Sequence, residues 1–185
     1  SDIPIFPISW KSAASINELS TAFEKGASMA NQAGISMDNY LGYLATMVEV
    51  TREAPENIGT SMKTIMARFQ QIKEGGTTED GDTDVNAVET ALKSVGVALR
   101  DSNNQLRDLE DVLAELGPKW QSLDRNTQAY LGTVIAGTRQ QSRFISLMQN
   151  WDRALELVEA SENSAGAATR MHAKAMDGLD ASLNN

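Results

Sequence analysis

Five carboxylates, Glu74, Glu79, Asp80, Asp82 and Asp84, interrupted by Gly75, Gly76 and Gly81, form the stretch whose residue types best suit chemistry. Closely spaced carboxylate oxygens hold hard cations such as calcium. The spacing does not deliver that site. With Gly81 at the glycine position of an EF-hand loop, three ligand positions fall on Gly76, Thr78 and Ala87, and none carries a carboxylate. A solvated linker accounts for the stretch.

The other candidates are thinner. His172 is the only histidine, so neither a Ser-His-Asp set nor a two-histidine metal site can be assembled from these residues. Cysteine is absent, which removes disulfides, thiolate chemistry and cysteine-based zinc sites together and leaves the redox compartment open. Asp108 with Asp111, and Glu110 with Glu115, read as the solvated side of a helix. Gly75-Gly76 follows a helical pattern and lacks the Lys and Ser/Thr of a phosphate-binding loop. Met29, Met37, Met47, Met62, Met66, Met148, Met171 and Met176 could line an adaptable groove, but core packing is the simpler reading. Arg139, Gln140, Gln141 and Arg143, just before Phe144, read as a polar interface or as helix C-terminal cations beside a new helix start. The residues offer no enzyme, cofactor or metal site.

The chain has 185 residues, 41% of them hydrophobic, enough for a real core, and a net charge of −9. Five of those negative charges lie in residues 74–84, and no basic stripe appears elsewhere, which argues against nucleic-acid binding. The longest uncharged run, Asn126 to Thr138, is 13 residues and too short to span a bilayer. The apolar start (Ile3, Ile5, Phe6, Ile8) lacks the basic region and cleavage site of a signal peptide. A chain beginning at Ser and ending inside an unfinished helical pattern reads as a piece of something longer.

The periodicity predicts a mainly α fold. Residues 1–11 read as an extended arm, 12–73 as an N-terminal helical half, 74–84 as an acidic Gly-rich linker and 85–185 as a C-terminal helical half packed with the first. A helix is expected over about 12–32, and Ser36 caps a second one carrying Met37, Tyr40, Leu41, Leu44 and Val48. Pro55 ends that helix and opens a third, with Ile58, Met62, Ile65, Met66, Phe69 and Ile72 on one stripe. Asp84 caps the next. From Val97 to Arg107 the period changes around Asp101 to Asn104, which permits a small β-hairpin. Leu109 to Leu116 make another helix closed by Gly117-Pro118. Asp124 caps the helix after it, and Phe144, Leu147, Met148, Trp151, Leu155 and Val158 continue the pattern. A last helix runs through Met171, Ala175, Leu179 and Leu183.

An internal echo organises these elements. Tyr43 to Arg52 (YLATMVEVTR) returns as Tyr130 to Arg139 (YLGTVIAGTR), with five identities over ten positions. In each copy Tyr, Leu, the two apolar residues and Thr fall on one helical stripe, followed by an Arg suited to a helix C-terminus. Further copies at a short fixed period are absent, so the echo predicts two corresponding core helices in a bundle of two related halves rather than a solenoid.

Two stretches carry a resemblance. Gly34-Ile35-Ser36, Thr51-Arg52-Glu53, Asn57-Ile58-Gly59 with Lys63 and Arg68, then Leu99-Arg100-Asp101, Arg107-Asp108, Trp120 and Ala136-Gly137-Thr138-Arg139-Gln140 occur in order. In this combination the chain resembles the helical region of tail tape-measure proteins from phages and prophages of Gram-positive bacteria, from about residue 16 to the end. Asn104 stands where that family often has Gly, and Asn tolerates the positive φ of such a turn. The resemblance implies a structural segment of a tail tape-measure protein, acting in tail assembly and tail-length determination without catalysis. It also implies partners among other tail proteins (tail tube, assembly chaperones, distal tail proteins) or further copies of itself. The implied location is the virion tail lumen, and the host cytoplasm during assembly. Tyr43, Leu44, Thr51, Arg52, Gly59, Arg68, Trp120, Tyr130, Gly137, Thr138, Arg139 and Phe144 are its candidate signature or core residues. A helical interaction module of a secreted bacterial protein is the alternative, and a cell-wall hydrolase would need a cleft of acidic and polar groups.

Overall fold

The computed structural model describes residues 12–75, 84–164 and 166–183; the expected arm over 1–11 and most of the acidic linker, 76–83, lie outside them. Among the described residues nine α-helices form an all-α bundle: α1 (Ile16–Gln32), α2 (Met37–Thr51), α3 (Pro55–Lys73), α4 (Val85–Ser94), α5 (Leu109–Lys119), α6 (Arg125–Ala136), α7 (Gln141–Gln149), α8 (Trp151–Glu162) and α9 (Ala167–Leu183). A 3-10 turn, Trp120–Ser122, follows α5.

Local chemistry sets most helix starts. Ser15 caps α1 in a capping box, its hydroxyl accepting from the Glu18 amide while the Glu18 side chain accepts from the Ser15 amide. Ser36, Asp84 and Asp124 accept from the amides of Asn39, Ala87 and Thr127 at the starts of α2, α4 and α6. Pro55 occupies the first turn of α3, where its missing N–H costs nothing.

Helix α2 is the centre of the molecule. All nine residues from Tyr40 to Val48 are buried, including Gly42, Ala45 and Thr46, which the single-stripe reading left off the core. A helix apolar all round needs neighbours all round. Here α1, α3, α7, α8 and α9 supply them. The Thr46 hydroxyl, fully buried, donates back to the Gly42 carbonyl at 2.8 Å. The Tyr40 hydroxyl donates to the Phe23 carbonyl at 3.1 Å, and burial pushes both the Tyr40 and Tyr43 phenols well above their ordinary pKa.

Glycines set three close helix approaches. A β-carbon on Gly59 of α3 would lie 2.4 Å from the Ala22 carbonyl oxygen of α1. One on Gly42 would lie 2.4 Å from Val158 of α8, and one on Gly117 would lie 2.3 Å from the Trp151 indole.

Four expectations change. Residues 97–107 form no extended strand pair, only one antiparallel bridge between Arg100 and Leu106, flanked by bonds from the Asp101 amide to the Gln105 carbonyl and from the Arg107 amide to the Leu99 carbonyl. Helix α5 runs through Gly117 and Pro118 to Lys119; Gly117 serves contact with Trp151 rather than helix termination. The apolar pattern from Phe144 to Val158 is two helices broken at Asn150, and Leu155 points outward at 47% exposure. The echoed helices are not equivalent either. Tyr43 is 2% exposed in the centre, whereas Tyr130 is 55% exposed on α6, which packs on α3, α4 and α7 at the side of the bundle.

Candidate functional site

The Thr51-Arg52-Glu53 motif closes α2 and ties it to α7. The Thr51 hydroxyl donates to the Met47 carbonyl at 2.7 Å and accepts from the Glu53 amide at 3.2 Å. Arg52 takes the left-handed conformation (φ 57°) that ends a helix, its amide donating to the Val48 carbonyl. This turn throws Glu53 toward Arg143 of α7, whose Nε and Nη2 each donate to a carboxylate oxygen at 2.8 Å. Hydrogen bonding to that guanidinium, and then its charge, hold the Glu53 carboxyl below its ordinary pKa. One turn earlier on α2, Glu49 accepts from Arg153 of α8. The seam is a structural clamp between α2 and the α7–α8 pair.

The Gly34-Ile35-Ser36 motif performs a second docking. Gly34 has φ +71°, and Asp108 of the turn before α5 packs where a β-carbon would stand. The Ser36 amide donates to Glu110 at 2.6 Å, and Lys73 pairs with Asp108 at 3.0 Å. At the loop between α4 and α5, Asn104 has the positive φ (62°) expected of it, and Asp101 accepts from the amides of Asn103 and Gln105. Arg107 of the Arg107-Asp108 pair donates to the Ala98 carbonyl and to Glu115. Trp120 and Phe144 meet edge to face at 5.9 Å.

The remaining motif residues converge on one groove. Along α3, Thr60, Lys63, Thr64, Ala67, Arg68 and Gln71 form a single face at helical spacing. Opposite them runs the turn after α6, from Ala136 through Gly137, Thr138 and Arg139 to Gln140, and the space between is about 770 Å³. Arg68 forms its floor. It is 9% exposed, and its guanidinium donates to the Val134 and Thr133 carbonyls at 3.4 Å, offsetting the negative end of α6. Gly137 has φ +82°, and a β-carbon there would stand 3.2 Å from Arg68 Nη1. Lys63 and Arg139 extend from the two walls, both exposed.

The twelve sequence candidates therefore divide. Arg68, Gly137, Thr138 and Arg139 share the groove; Thr51 and Arg52 form the α2 hook; Tyr43 and Leu44 are central core; Gly59 is the α1–α3 crossing point; Trp120 and Phe144 are a buried ring pair. Tyr130 stands apart, and its core assignment is corrected by its exposure. Sequence reasoning missed the partners Glu53 and Glu49, because the bonds to Arg143 and Arg153 span 90 and 104 residues. Of the run Arg139 to Arg143, Arg143 is an internal clamp, and Gln141 donates to the Ala129 carbonyl. No helix among the described residues is long and apolar enough to cross a membrane.

A family model described as phage-related minor tail protein matches residues 6–137, a span that includes α1 to α6 and the motifs up to Gly137. Thr138, Arg139 and Phe144 lie beyond it. No solved structure matches the chain.

Proposed function

We propose a structural, non-catalytic role for this chain, which belongs to the phage-related minor tail protein family: it is a segment of a tail tape-measure protein, acting in tail assembly and tail-length determination. Membership makes it a phage tail protein that works with other tail proteins. The finer reading adds the tail lumen as its location and the host cytoplasm as its site of assembly, in a phage of the Gram-positive type. Its partners are then tail tube, assembly chaperones, distal tail proteins or further copies of itself. The observation that carries the reading is the family match, which contains most of the ordered motif set resembling tape-measure proteins. The α2 hook, the Gly34 turn and the floor of the groove give these motifs structural tasks, as expected for a packed assembly segment.

The test is tail length. Inserting about 40 helix-forming residues into the parent reading frame, outside this segment, should lengthen the tail by about 60 Å at roughly 1.5 Å per residue. Electron microscopy of intact virions with unchanged tails would overturn the ruler reading. We also propose that residues 12–73 and 85–185 act as one domain, supported by the packing of α2 on α7 and α8 and of α3 on α6. A chain lacking 76–83 should unfold in one transition; two separate transitions would overturn that.

A further inference from the structure

We draw no further inference here: the strongest candidate, the surface patch on the last turn of α9 where Leu183 is 82% exposed beyond the buried Met171 and Ala175, carries nothing because nothing in the structure shows what covers it.

Discussion

Replacing Gly59 with Ala adds one methyl group at the closest approach of α1 and α3. The new β-carbon would sit 2.4 Å from the Ala22 carbonyl oxygen and 2.8 Å from the Lys25 β-carbon. The first neighbour is backbone, so no rotamer change relieves the overlap, and the two helices must move apart. They cannot do so freely, because Gly26 on α1 packs in turn on the Tyr40 hydroxyl and Met66. Overpacking of this kind costs about 1–3 kcal/mol, and a backbone clash belongs at the upper end. Ala is the better helix former by about 1 kcal/mol, which offsets part of the cost. The net expectation is a loss of about 2 kcal/mol, or a fall in Tm of about 4–8 °C for a chain of this size. Gly178→Ala is the matched control. Gly178 lies in α9 with nothing within 4 Å of its added β-carbon, so there the propensity gain should stand alone and raise Tm by a few degrees. Thermal unfolding followed by circular dichroism, with urea midpoints as a second measure, reads both. If Gly59→Ala matched Gly178→Ala in sign, the helix crossing described above would be wrong.

Three further outcomes follow from the same packing. Tyr43→Ala should cost about 3–4 kcal/mol and Tyr130→Ala less than about 0.5 kcal/mol, measured by urea unfolding; equal losses would restore the two echoed tyrosines to equivalent core positions. Glu53→Gln should cost about 1 kcal/mol at neutral pH, discounted for the 34% of the Glu53 side chain that stays in solvent. Because the folded-state pKa of Glu53 is lowered, its contribution is present above the ordinary value of 4.5 and is lost as pH falls through the folded value, so the gap between wild type and variant should close in acid. Asp124→Asn should keep the α6 cap but remove its titration. The Asp124 carboxyl is held low chiefly by the Thr127 amide, so acid should weaken the wild-type cap and spare the variant's, a difference visible in α6 amide exchange.

What could be read in advance was local. Ser36, Pro55, Asp84 and Asp124 mark helix starts because capping is settled within about four residues. The positive φ of Asn104 follows from turn chemistry in the same way. The burial of Gly42, Ala45 and Thr46 was not legible, since a stripe count sees one face and cannot know how many neighbours surround a helix. The break at Asn150 hid behind an apolar period that continues across it. Tyr43 and Tyr130 are the sharpest case: ten similar residues make helical stripes in both places, and tertiary surroundings alone decide which tyrosine is covered. Of the groove, the α3 face and the Gly137–Gln140 turn were each visible as motifs, but nothing in either announced that Arg68 would bring them together.

The central position of α2 also fixes when the chain can finish folding. Glu49 waits for Arg153, 104 residues downstream, and the α2 face around Gly42 waits for Val158. At a synthesis rate of about 5–20 residues per second, that interval lasts about 5–20 s, during which a nascent α2 stands with an uncovered apolar flank beside the ribosome. The most buried helix of the finished protein is thus its most vulnerable segment at birth, and expression conditions that slow translation between residues 52 and 158 extend the interval in which it aggregates.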